Sequence, residues 1–245
     1  MKKICVLVLA FSLFFSLNIF AQEEEDNFDM SVSLNSDLFF GFYPFFAGSY
    51  GSGSIDFTFY GILWSGGTGG GWGNWTEFGV GVGIPVGDAL YVNPQIGLLN
   101  GSLLSSGATG QSVLAEGIVP NLTVGLDTDM LEGELYAGYY AGFDHASPTT
   151  NNFLHYWISA GYKLNSFLSL GLHFEQLNFT GGSNLEDDAG FPIYVSLGPY
   201  VQFADPNGGA FAKFITGGDL RSDEQVEESG NSISSFFKLS VGYSF

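Results

Sequence analysis

The chain has 245 residues, of which six are Lys or Arg and 25 are Asp or Glu, for a formal net charge of −19. That balance excludes a nucleic-acid binder and a basic groove for acidic polymers. With 45% hydrophobic and 17% aromatic residues the chain is also not disordered, and its length suits one domain better than two.

Residues 1–21 read as a secretory signal peptide: Met1 to Lys3 is basic, Ile4 to Phe20 is apolar, and Ala21 is a small residue at the cleavage point. The apolar run is shorter than a bilayer span requires, and Glu23, Glu24, Glu25 and Asp26 follow at once. Cleavage would remove Cys5, the one cysteine, so the exported chain has no disulfide. Residues 22–27 then form an acidic N-terminal segment and residues 28–245 a single folded domain.

From Phe28 onward apolar residues recur with period two, which places them on one face of a strand. Clear examples are Phe78, Val80, Val82 and Ile84; Leu90, Val92, Ile96 and Leu98; Leu168, Leu170, Leu172 and Phe174; and Ile193, Val195, Leu197 and Val201. The connections between segments alternate in length. Gly51 to Gly53, Gly87-Asp88, Asp127 to Met130, Asn165-Ser166 and Asp205 to Gly208 are short and rich in turn residues. Ser65 to Asn74, Asn100 to Ala115, Asp144 to Asn152, Thr180 to Gly190 and Gly217 to Ser232 are long.

Counting strands back from the C-terminus predicts segments near 209–217, 190–204, 166–179, 152–164, 131–143, 115–126, 88–99, 76–86, 54–64 and 38–50. An even number then needs one more, and Phe28, Met30, Val32 and Leu34 supply it. The expected fold is all-β, an antiparallel up-and-down transmembrane β-barrel of about 12 strands, with 10 or 14 as alternatives because Leu38 to Tyr50 is almost wholly apolar and hides its register. Pro94, Pro120 and Pro199 fall inside assigned strands, where a missing N–H predicts bulges or strand ends.

If the regular apolar face points outward, the opposite parity lines the lumen. The pore-lining candidates are Glu77, Asn93, Gln95, Asn121, Glu132, Glu134, Tyr136, Tyr140, His155, Trp157, His173, Glu175 and Lys238. Glycines share that face, at Gly79, Gly138, Gly161 and Gly171 among others, where neighbouring Tyr rings can lie over bare backbone. A hairpin pivoting on Asn165, with Leu164 paired to Ser166, sets His155 opposite Glu175 and Trp157 opposite His173. A His beside a Glu suits a general base, a pH-sensitive gate, half a metal site or a hydrogen-bonded brace. In that register Ser159 lies two pairs further along and Ser169 nearer the turn, so neither completes a catalytic triad.

The acidic stretches Glu186 to Asp188 and Asp219 to Glu228 lack the spacing of a calcium loop and read as solvated surface. Trp64, Trp72 and Trp75 flank the first long connection and read as part of an outer aromatic girdle. Gly69 to Gly71 lacks the strand, helix and Lys that phosphate binding needs. No metal site and no cofactor is expected.

The last nine residues alternate most cleanly: Phe237, Leu239, Val241, Tyr243 and Phe245 are large and apolar, with Lys238, Ser240, Gly242 and Ser244 between them. This tail resembles the C-terminal signature of Gram-negative outer-membrane β-barrel proteins, in which terminal aromatic strands are the assembly signal read by the barrel-assembly machinery. Alternating short periplasmic turns and long extracellular loops are similar to the same class. The resemblance implies an outer-membrane location, with lipid and lipopolysaccharide as surroundings and no nucleic-acid partner. It points to a porin-like barrel passing small cationic or neutral solutes, without enzymatic activity. A lipid-active barrel enzyme and a sealed structural or adhesive barrel are the alternatives.

Overall fold

The computed structural model describes residues 27–64, 75–104, 113–143, 150–183, 190–206, 209–230, 232 and 235–245. Twelve strands follow in chain order: β1 (Phe28–Asp37), β2 (Gly41–Gly51), β3 (Asp56–Trp64), β4 (Trp75–Val86), β5 (Leu90–Gly101) and β6 (Val113–Asp127), then β7 (Leu131–Gly142), β8 (Asn152–Lys163), β9 (Leu168–Gly181), β10 (Phe191–Ala204), β11 (Ala210–Asp219) and β12 (Ser235–Ser244). Each pairs antiparallel with its neighbours, and β1 pairs with β12 to close the barrel. Closure leaves no unpaired strand edge. The seam is pinned by mutual backbone bonds between Met30 and Phe245, 3.0 and 2.9 Å long, and runs on to Asp37 opposite Lys238.

The sorting of side chains inverts that of a soluble protein. Val80 is 62% exposed and Leu172 59%, and the tail residues Phe237, Leu239, Val241, Tyr243 and Phe245 are all exposed on the outside. Glu77, Asp37, His155, His173 and Glu175 are buried. Glu116 shares the parity of the outward Ile118 and Leu122 but is buried, accepting from the N–H groups of Leu103 and Leu104, so among the described strand residues no Asp, Glu, Lys or Arg is exposed on the outward row. Period-two patterning therefore works here as expected, with the apolar row turned away from the interior.

Pro94, Pro120 and Pro199 are neither bulges nor strand ends. The register is the same on both sides of each, but two successive pairs are missing from one flanking ladder: β4·β5 beside Pro94, β6·β7 beside Pro120 and β10·β11 beside Pro199. A proline has no N–H to give, so the ladder opens locally on one side while the other side holds the alignment. Register shifts occur elsewhere, between Pro192 and Tyr194, Leu99 and Gly101, and Asn152 and Phe153.

The β8–β9 hairpin differs from the sequence expectation by two residues. Its connection is Leu164 to Phe167, because the Asn165 side-chain oxygen accepts from the N–H groups of Phe167 and Leu168 (2.8 and 2.9 Å) and Leu164 N–H donates to the Leu168 carbonyl. This four-residue turn pairs Trp157 with Glu175 and Ser159 with His173, and moves His155 opposite Leu177.

At the end of the barrel that carries the long connections, β1 and β2 are joined by only three residues, Leu38 to Phe40. Asp37 Oδ1 accepts the N–H of Phe40, and Gly41 adopts a φ of 74° that releases the chain into β2. Phe39 and Phe40 are thereby turned into the lumen and buried. The connection after β11 holds a short helix, α1 (Asp223–Ser229), where an irregular loop was expected. Ser222 caps it, accepting from Gln225 N–H while the Gln225 side chain accepts from Ser222 N–H. The expected signal peptide and residues 22–26, Gly69 to Gly71, Trp72, His145 and Glu186 to Asp188 lie outside the described residues.

Candidate functional site: the barrel lumen

Inside the barrel a cavity of about 800 Å³ runs from the short-turn rim, at Asp29, Asp56, Tyr91 and Phe245, up to Phe40, Tyr43, Trp64 and Tyr140. Beyond it, towards the long connections, buried rings and aliphatics including Phe39, Phe40, Trp75, Tyr194 and Phe236 pack together inside the barrel. Phe40 packs on Trp64 of β3 at 4.6 Å and on His155 of β8 at 5.5 Å between centroids, while Phe39 meets Tyr194 of β10 at 4.8 Å. The β1–β2 turn thus reaches across the lumen.

Of the thirteen pore-lining candidates, Asn93, Gln95, Asn121, Glu134, Tyr136, Tyr140, His155, Trp157, His173 and Lys238 border this cavity, while Glu77, Glu132 and Glu175 bond to residues that border it, and together they form three hydrogen-bonded groups. In the first, on β3 to β6, Tyr60 donates to Glu77 and accepts from the Asn121 amide at 2.8 Å. Thr58 beside them donates to Asn93 (2.9 Å) and accepts from Gln95 (3.0 Å). In the second, near the short-turn rim, Glu132 accepts from Tyr200, Ser169 and Gln202 at 2.8, 2.9 and 3.0 Å. Glu134 accepts from Trp157 Nε1 at 2.6 Å, and the Trp157 ring stacks on Tyr136 at 4.0 Å with Tyr140 above.

The third group centres on Glu175, which is fully buried. Its Oε1 meets His155 Nε2 at 2.8 Å and accepts from Tyr194 at 2.6 Å; its Oε2 meets His173 Nε2 at 2.9 Å and Lys238 Nζ at 2.5 Å. Four donors around one carboxylate compensate a charge that burial alone would penalise heavily. The other nitrogen of His173, Nδ1, lies 2.8 Å from Ser159 Oγ, and Lys213 Nζ is 3.4 Å from the same oxygen.

Inward glycines give these rings their room. The side chain of Tyr60 occupies the place a Cβ on Gly79 would take, and Tyr200 covers both Gly161 and Gly171. Among the described residues no group of three or more His, Cys, Asp or Glu is arranged to hold a metal ion.

A family model matches the whole chain, residues 1–245. The chain belongs to the family of unknown function DUF6733. No curated protein matches it. Among solved structures, the COG4313 outer membrane channel from Pseudomonas putida F1 superposes with a TM-score of 0.53 at 11% identity, over 91% of this chain and 98% of that one. The NanC porin superposes with a TM-score of 0.50 at 11% identity, over 88% and 98%. At such identity the likeness is one of fold: this DUF6733 chain is a barrel of the kind found in outer-membrane channels.

Some luminal residues were not anticipated. Trp64 and Trp75 are not girdle residues: they stack at 4.3 Å inside the barrel and are buried. Their parity with Asp56 and Glu77 already places them inward. Tyr194 and Lys213 also follow from parity, but such residues in an alternating strand carry no signal until their partners are known; Ser159 is expected on the luminal face, but not opposite His173. Asp37, 4.0 Å from Lys238, belongs to a stretch where only pairing with β12 reveals direction.

Proposed function

We propose that this chain is a porin-like barrel of a Gram-negative outer membrane, exported by its cleaved signal peptide, through which small cationic or neutral solutes diffuse passively. The observation that carries the reading is the elongated cavity, bordered by rings, hydroxyls, amides and charged groups, inside a closed barrel whose outer row is largely apolar and exposes no charge. An outer surface of that kind is stable only against hydrocarbon. The fold shared with an outer membrane channel and a porin supports the same reading. Short turns then face the periplasm and long connections the exterior, with lipopolysaccharide and the barrel-assembly machinery as the expected surroundings and partner.

The charge of the lining favours cations. Asp29, Asp56 and Glu134 line the cavity with Lys213 and Lys238, and Lys238 is already paired with Glu175. A ring of carboxylates raises the local concentration of cations and repels anions. Purified protein in planar bilayers should give discrete conductance steps, and a salt gradient should give a reversal potential of cation-selective sign. Asp56→Asn combined with Glu134→Gln should move that potential towards zero. Silent bilayers would refute the channel.

The buried Phe39–Phe40 turn favours a second reading, a sealed barrel acting through its external connections. Protease trimming of those connections separates the two, since it leaves the conductance of a channel in place.

A further inference from the structure

The Glu175 group holds more than a brace needs. Ser159 and His173 both line the cavity, and the imidazole is held at both nitrogens by partners of opposite kind. Nε2 faces the Glu175 carboxylate at 2.9 Å, and Nδ1 faces the Ser159 hydroxyl at 2.8 Å. Glu175 is fixed as an acceptor by Lys238, so Nε2 carries the ring proton and Nδ1 is left as a lone pair. The Ser159 O–H donates to that lone pair. Lys213 Nζ, 3.4 Å from Oγ, is a cation beside the same oxygen.

We propose that Ser159, His173 and Glu175 form an acyl-transfer site inside the barrel, acting on small carboxylic esters that enter through the cavity. Nucleophile, base and orienting carboxylate stand in the relation that defines such sites, whichever ring nitrogen faces which partner. Ser159 Oγ attacks the ester carbonyl carbon; the Oγ–C bond forms, the hydroxyl proton passes to His173 Nδ1, and the carbonyl π pair moves onto oxygen beside Lys213. Collapse breaks the bond to the leaving alkoxide, which takes the proton from Nδ1. Water repeats the sequence on the acyl-serine, giving up one proton through His173 and releasing the carboxylic acid. Ser159 and His173 are the catalytic residues. Glu175 is a positioning residue that sets the tautomer and steadies the imidazolium.

The site comes from two adjacent strands paired directly at Ser159 and His173, so the geometry is held by the sheet rather than by a loop. It goes beyond passive diffusion and needs only the cavity opening at the short-turn rim.

The test uses the full barrel, folded in detergent micelles and checked by its heat-modifiable migration on gels. A small fluorophosphonate should leave a covalent adduct on Ser159, located by mass spectrometry, and p-nitrophenyl acetate should be hydrolysed with saturation. Ser159→Ala, which removes one oxygen, should abolish both. His173→Gln should slow adduct formation by about 10²–10⁴-fold, the range of general-base catalysis. Glu175→Gln should lower kcat while leaving KM within about twofold, as loss of a transition-state interaction does. The proposal is overturned if folded wild-type protein forms no adduct at Ser159, if Ser159→Ala retains hydrolysis, or if His173→Gln reacts at the wild-type rate. If His173→Gln does not fold, the Ser159→Ala comparison decides alone.

Discussion

Lys238 on β12 places its Nζ 2.5 Å from Glu175 Oε2 on β9, joining strands three positions apart in the barrel through the lumen. The carboxylate is fully buried and the ammonium nearly so, with side-chain exposures of 0% and 15%. Such a pair is held by mutual need: its net contribution is small, but removing one partner leaves a charge in a dry place. Lys238→Met should therefore destabilise the barrel by about 3–5 kcal/mol. Adding Glu175→Gln to it should recover most of that loss. Urea unfolding from lipid vesicles, followed by tryptophan fluorescence, reads both, and equal loss in the single and double variants would show the pair to be uncoupled.

Gly79 and Gly125 make a controlled comparison of two inward glycines. A methyl on Gly79 would collide with the Tyr60 ring, whereas one on Gly125 meets nothing within 4 Å. Moving Tyr60 breaks its bonds to Glu77 and Asn121, and the second oxygen of Glu77 has no hydrogen-bond partner among the described residues. Gly79→Ala should cost about 1–3 kcal/mol from overpacking, and more if Glu77 loses its donor. Gly125→Ala should stay within about 0.5 kcal/mol of the parent. Equal effects in the same unfolding assay would mean that Tyr60 can swing aside freely.

The two faces of the strands were readable from residues because alternation is strict wherever small or polar residues separate large apolar ones. Val80 and Gly79, or Leu172 and His173, announce opposite sides without any structure. Three things escaped that reading, each for a physical reason. Leu38 to Phe46 is nearly all apolar, so nothing in it distinguished a turn at Leu38 to Phe40 from a strand. The β8–β9 register depended on an Asn165 side chain bonding two backbone N–H groups, which lengthens the turn to four residues and slides Ser159 opposite His173. Trp64 and Trp75 were judged by residue type, as interfacial aromatics, when their parity already turned them inward.

Val80 sits mid-strand on β4 and is 62% exposed on the outer face. If hydrocarbon is its solvent, Val80→Arg should destabilise the barrel in a bilayer by about 2–4 kcal/mol, the cost of an arginine near the membrane midplane. The same change near the rim, at Leu90, should cost about 0–1 kcal/mol. A depth-independent penalty would place the outer face in water or against a protein partner instead.

Phe40 sits at the inner end of the cavity, between Trp64 and His155, on a turn fixed by Asp37 and Gly41. Its ring borders the cavity and belongs to the aromatic cluster beyond. Phe40→Ala removes that ring without touching any strand pairing, because Phe40 lies outside both β1 and β2. Stability should fall by about 3–5 kcal/mol, as for other buried Phe truncations. Single-channel conductance should rise, since the missing ring widens the passage at its narrow end. Asp37→Asn weakens the bond that holds the turn and should have the same sign with a smaller amplitude. If Phe40→Ala unfolds at lower denaturant yet leaves conductance unchanged, the turn braces the barrel and the constriction lies elsewhere.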